Sequence, residues 1–249
     1  MLAVTVLAAI TTTGLAAGIA AEPGVMLRNG NYAGHGAYML PQALAKVQPA
    51  LWPTSGWYRL SIQKDGIESS AVAAPGRDMP AFLVPIAAQA HRAQFDSGEW
   101  VPDMIDPGSQ DAPVYLRIPD TAVRTGLLPF YRFKNGTSGI TPILDHTYTL
   151  SFQGQPFIFS VRNGFRTKDG RAYGEGAQYT IEYDGQKYEY SLGTQGWDSR
   201  ILAITDMDSD GRPDFHIAVG DGSEYILLSS RAKPGRNPPS ASLASTGGC

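Results

Sequence analysis

A fourteen-residue pattern that recurs once constrains this chain more than any other feature. Tyr148–Val161 reads YTLSFQGQPFIFSV, and Tyr179–Leu192, 31 residues later, reads YTIEYDGQKYEYSL. Five positions are identical, and five more keep their aromatic or aliphatic character. Apolar residues alternate with polar ones on either side of a central pair, Gln153-Gly154 or Asp184-Gly185. Alternation is the period of a half-buried strand. Asp-Gly is a strong two-residue hairpin signal, because both residues tolerate positive φ. With those pairs at the tips the register is determined: Tyr148 faces Phe159, Leu150 faces Phe157, Tyr179 faces Tyr190 and Ile181 faces Tyr188. All eight side chains then share one face, as cross-strand packing requires. On the other face Glu182 stands opposite Lys187. Alternation makes the aromatics a hairpin core rather than a sugar platform.

The rest of the chain reads the same way. Gly (28) and Pro (18) are abundant, which favours short strands and turns over long helices. Trp57–Gln63, Val114–Ile118, Arg200–Thr205, Phe215–Val219 and Glu224–Ser229 read as strands. Leu40–Val47, with Pro41 suited to a first helical position, is the best helix candidate. Ala81–Ala90 is ambiguous, Glu22–Gly36 looks irregular, and Glu99–Pro113 reads as a loop. The fold class expected is all-β, a sandwich-like antiparallel architecture. It divides into an N-terminal β-rich region (22–138) and a hairpin-repeat region (139–231). Whether the two share one core is left open. From 232 to 249 the Pro, Gly and Ser content predicts an extended or disordered tail.

Met1–Ile10 is almost wholly apolar and is followed by the small-residue stretch Gly14–Ala21. That pattern predicts a signal peptide over 1–21, although no Lys or Arg lies in its first part. The expected location is periplasmic or secreted, with no stable membrane span once the signal is removed. The competing reading is a single anchor over Leu2–Ala21, which the Thr11–Thr13 run and two glycines interrupt. The one cysteine, Cys249, cannot form an internal disulfide. Asn135-Gly136-Thr137 is a formal glycosylation sequon. No Lys/Arg run exists and the net charge is −3, so nucleic acid is not an expected partner.

The strongest chemical signal is Asp206-Met207-Asp208-Ser209-Asp210-Gly211-Arg212-Pro213-Asp214. Carboxylates occupy positions 1, 3, 5 and 9, and Gly stands at 6, where a sharp turn is needed. Alternate side chains of a tight loop converge, and the Arg212 backbone carbonyl at position 7 adds another oxygen. Hard oxygen donors in this number suit Ca²⁺. Two unit charges about 4 Å apart cost roughly 4 kcal/mol at an effective dielectric of about 20, and a divalent cation reverses that sign. The helix–loop–helix calcium site is excluded, because Ile217 stands where a bidentate Glu is required. With strands on both sides, residues 201–227 resemble the FG-GAP/VCBS-type repeat of integrin-like propellers and secreted bacterial proteins. The resemblance implies Ca²⁺ held by Asp206, Asp208, Asp210 and Asp214. A complete propeller needs several such loops, and one is present.

Catalytic signals are sparse. The four histidines (His35, His91, His146, His216) show no metal-ligand spacing. Asp145-His146 would point to opposite strand faces, and no Gly-x-Ser-x-Gly elbow occurs. Glu99 with Asp103, or Asp106 with Asp111, are carboxylate pairs of the kind chance supplies. The function expected is a Ca²⁺-stabilised binding or structural protein with a protein or glycan ligand. The alternative is a secreted hydrolase whose ion is purely structural.

Overall fold

The structure, a computed structural model, describes residues 23–28, 38–39, 41–45, 47–73, 78–88, 104–105, 113–163, 176–193, 199–219 and 223–245. The expected signal segment, Cys249, His35, His91 and the carboxylate pairs between 99 and 111 lie outside them. Among the described residues no helix is long and apolar enough to cross a membrane.

The fold is all-β, built as two packed sheets. The first runs β12 (Ser199–Thr205), β13 (Asp214–Val219), β14 (Glu224–Leu227), β16 (Ala241–Ser245), β1 (Gly24–Arg28), β6 (Val114–Arg117), β3 (Tyr58–Ile62), β4 (Gly66–Ala71), β7 (Gly126–Pro129). Two short strands, β2 (Tyr38–Met39) and β5 (Met104–Ile105), attach beside β16. This sheet curls back on itself. Beyond β7 the Tyr131 N–H donates to the Ile204 carbonyl at 2.7 Å, and the Thr205 hydroxyl donates to the Pro129 carbonyl at 3.0 Å. The result is a barrel-like layer lined by Met26, Leu60, Ile67, Leu116, Ile226 and Leu243. Against its outer face, at β1 and β6, pack Trp52, Trp57 and a helical segment over 83–88. The helix expected over Leu40–Val47 is shorter, α1 (Gln42–Ala45).

The second sheet is the hairpin repeat: β8 (Thr147–Phe152), β9 (Gln155–Asn163), β10 (Ala177–Tyr183) and β11 (Gln186–Leu192), closed by β15 (Gly235–Asn237). All four expected pairings occur, Tyr148 with Phe159, Leu150 with Phe157, Tyr179 with Tyr190 and Ile181 with Tyr188. The tips Gln153-Gly154 and Asp184-Gly185 adopt positive φ throughout, as a primed turn demands. The two hairpins pair through β9 and β10, placing Ile181 beside Phe159. Their common apolar face packs on the outer face of β12 to β14, through Ile201, Ile204, Phe215, Ile217 and Leu227. Glu182 stands opposite Lys187, but the lysine ammonium reaches Glu189 at 2.7 Å instead.

Two expectations are corrected. First, the described residues 232–245 do not form a tail: β16 is inserted between β14 and β1, and pairs with both. β1 runs close beside it, since a Cβ on Gly24 would meet the Ser240 carbonyl oxygen at 2.5 Å and the Ala241 Cβ at 2.9 Å. Ala241 and Leu243 of β16 are buried in the core of the barrel-like layer. Second, Gly24–Arg28, within the stretch read as irregular, is a fully buried strand. Within this mostly antiparallel architecture two pairings, β16–β1 and β11–β15, are parallel. Both sequence halves contribute strands to one sheet, which answers the question of a shared core.

Candidate metal centre

The acidic loop is the turn between β12 and β13, at one end of the barrel-like layer. Its anchor is Met207, fully buried and packed into the barrel interior with Ile226 and Leu228. With Met207 turned inward, Asp206, Asp208 and Asp210 converge. One carboxylate oxygen from each lies within 4.8 Å of the other two. Ser209 and Gly211 take positive φ (66° and 79°), which coils the backbone tightly enough for that convergence.

Backbone amides hold the carboxylates in place. Asp206 accepts from the Asp210 N–H at 3.1 Å through Oδ1 and from the Gly211 N–H at 3.2 Å through Oδ2. Asp210 accepts from the Arg212 N–H at 2.8 Å. Two serines beyond β14 close the site from the other side. The Ser229 hydroxyl lies 2.9 Å from Asp210 Oδ2, and the Ser230 hydroxyl donates to Asp208 Oδ2.

Asp214 plays a different part from the three. It is fully buried as the first residue of β13 and lies outside the converging group. Its Oδ2 accepts from the Met207 N–H at 2.7 Å, and its Oδ1 from the Ser229 N–H at 2.8 Å. It therefore ties the start of the loop to the serine segment that faces it. The Arg212 side chain turns away from the cluster. Its guanidinium lies 5.6 Å from the Tyr183 ring centroid and 3.6 Å from an Asp184 oxygen.

Electrostatics follows from that inventory. The donors that reach Asp206, Asp208, Asp210 and Asp214 are backbone amides and hydroxyls, all neutral. Among the described residues no lysine, arginine or histidine forms an ion pair with them. Burial raises the Asp208 carboxyl above its ordinary pKa; the Ser230 hydroxyl opposes this and the Asp210 charge adds to it. Burial and the Asp208 charge push Asp214 far higher. No protein-family model matches the chain, and neither do the curated proteins or the solved structures. The site must be read from its own chemistry.

That chemistry is a small basin of hard oxygens, negatively charged and rigidly supported by neutral donors. It fits a divalent cation with oxygen preference. Sequence spacing identified the three converging aspartates. It missed Ser229 and Ser230, which reach the loop across 15 to 22 residues of chain. No local motif encodes a contact made by the return of β14.

Proposed function

We propose that this chain is an exported binding or structural protein of the periplasm or cell surface, stabilised by Ca²⁺ at the β12–β13 loop. The observation that carries the reading is the convergence of Asp206, Asp208 and Asp210 with only neutral donors around them. Three clustered carboxylates repel one another, and a bound Ca²⁺ turns that repulsion into attraction. The apolar N-terminal stretch supports export, and the strand–loop–strand resemblance supports calcium over other divalent ions. Mg²⁺ keeps more of its water and takes fewer protein ligands.

An ion held by the folded state alone stabilises that state by mass action, by about 2.7 kcal/mol at a free concentration of about 100 times Kd. Calorimetry should detect Ca²⁺ binding, and chelation should lower the melting temperature. In the double variant Asp206→Ala/Asp210→Ala both effects should vanish. Tight Ca²⁺ binding that persists in that variant defeats the ligand assignment, and an unchanged melting curve on chelation defeats the structural role.

A further inference from the structure

Two strands end the second sheet, β15 and β8, and they are built differently. β15 is three residues long, carries Arg236 and follows Pro234, features that discourage a further strand from pairing. β8 is six residues long, and no charge, proline or bulge interrupts its register with β9. The turn at its tip determines which of its backbone groups are used. A two-residue primed turn makes Phe152–Gln155 a hydrogen-bonded pair, so Leu150–Phe157 and Tyr148–Phe159 are hydrogen-bonded as well. The N–H and C=O groups of Thr147, Thr149 and Ser151 therefore point away from β9. Among the described residues no other strand pairs with them. Beside this edge opens a groove of about 490 Å³. Tyr148 and Leu150 line it from β8, and Tyr131, Ile140 and Ile143 line it from the segment that precedes β8. Ile143 is 67% exposed and the other four are half-buried, so the apolar lining is open to a partner. Lys134 also lines the groove, and among the described residues nothing pairs with its ammonium.

We propose that the β8 edge and its groove take up an extended segment of a partner protein, with apolar residues at alternate positions and a carboxylate beside them. The inference goes beyond the calcium reading and does not rest on it, since no residue of the groove belongs to the acidic loop. An added strand supplies the donors and acceptors that Thr147, Thr149 and Ser151 lack. Its side chains alternate between faces, so every second one lies on the Tyr148 and Leu150 side, over the groove. On the other face the exposed hydroxyls of Thr147, Thr149 and Ser151 suit threonine or serine across the pair. Lys134 gives the carboxylate its counter-charge. A second copy of β8 meets the first demands but not the last, because Thr147–Phe152 contains no acidic residue.

The probe is a fluorescein-labelled octapeptide that alternates threonine with valine and ends in an amidated glutamate. It is titrated with the full chain in excess Ca²⁺ and read by anisotropy, beside a scrambled peptide and one with lysine for glutamate. The alternating peptide should bind with a Kd of about 100 μM or tighter, and the scrambled one about tenfold more weakly. In Lys134→Glu the preference should invert, with the lysine peptide bound more tightly than the glutamate peptide. Thr149→Pro removes one outward N–H and no bond of the β8–β9 ladder, so it should weaken binding by about tenfold with the circular dichroism of the sheet retained. Lys134 is exposed on a turn, so its substitution decides the matter if the proline disturbs the hairpin. Absence of binding by the alternating peptide overturns the proposal. So does binding that ignores residue order or survives Lys134→Glu without change of preference. Dimers of the chain that Thr149→Pro dissolves would make a second copy the occupant and overturn the partner segment. Octanoate, titrated in parallel, overturns it too if it binds at Lys134 and the peptides do not.

Discussion

Asp214 and Glu224 begin adjacent strands of one antiparallel ladder and so sit at its opposite ends, both buried, in opposite electrostatic surroundings. Glu224 lies between Arg28, which pairs with its Oε1, and His216, whose Nε2 is 2.9 Å from its Oε2. Burial pushes the Glu224 carboxyl up, but the histidine and arginine together outweigh it and hold the group below its ordinary pKa. Asp214 receives only N–H and O–H donors and has the Asp208 charge nearby, so burial wins and its carboxyl is raised. At one end of the ladder the chain supplies its own cation. At the other, no cationic side chain among the described residues forms an ion pair with the carboxylates, so a cation from solution or protons would compensate their charge. The contrast shows that burying a carboxylate is no signature of ion binding. A crowd of them left with neutral donors is the informative case.

The largest effect expected is at the self-neutralised end. Arg28→Met should destabilise the protein by about 3–5 kcal/mol, because it leaves a buried carboxylate without its guanidinium partner. The triple variant Arg28→Met/His216→Leu/Glu224→Leu should recover most of that loss, since exchanging a whole buried ionic triad for apolar groups is often neutral. Urea unfolding of both variants measures the two numbers. A single-variant loss below about 1 kcal/mol would remove the distinction between the two ends.

The pH dependence separates them next, with opposite signs. Glu224 has a lowered pKa, so its contribution is present above its ordinary value of 4.5 and is lost as pH falls through the folded-state pKa. Asp214 and Asp208 have raised values. In chelated protein their contribution is present below the ordinary value of 3.8 and is lost as pH rises through the folded-state pKa. Chelated protein should therefore lose stability on the alkaline side of its optimum, and Ca²⁺ should abolish that loss while leaving the acid limb unchanged. Melting temperatures across pH, with and without Ca²⁺, give the result. Parallel curves would show that the loop carries no uncompensated charge.

Much of this contrast was legible in the sequence, but unevenly. The hairpin register could be read from Tyr148 to Leu192 because the pattern and the turn chemistry are local, and both point to the same pairing. The aspartate spacing was legible for the same reason. His216 gave no such signal: its partner Glu224 is eight residues on, and the other partner of Glu224, Arg28, lies on a strand contributed by the far end of the chain. Ser240–Ser245 was misread because small and polar residues dominate it, whereas what makes it a strand is pairing with β14 and with β1 from the far end of the chain. Composition does not report a pairing made with a distant strand.

Asp214 should resist amide substitution, which makes it the next test. Its two oxygens each accept a backbone N–H, and neither donor can reverse. Asp214→Asn therefore turns one contact into donor against donor, for a loss of about 1–3 kcal/mol with or without Ca²⁺. Equal stability to the parent in chelator would show that Asp214 does not tie Met207 to Ser229.

Asp208 is the smallest effect and the one whose sign decides most. Its Oδ2 partner is the Ser230 hydroxyl, which can accept as readily as it donates, and its Oδ1 accepts from the Asp210 N–H at 3.4 Å. Asp208→Asn can keep both contacts while removing one negative charge from the cluster. In chelated protein that relieves repulsion, so the melting temperature should rise, by an amount equivalent to at most about 1 kcal/mol for a partly exposed charge. With Ca²⁺ present the same change removes a ligand charge, so the variant should melt below the parent. Calorimetric scans of the two proteins in chelator and in excess Ca²⁺ would display the crossing. A variant that shifts the same way in both conditions would mean that Asp208 acts through packing, and that the charges at this end of the ladder need no partner from outside.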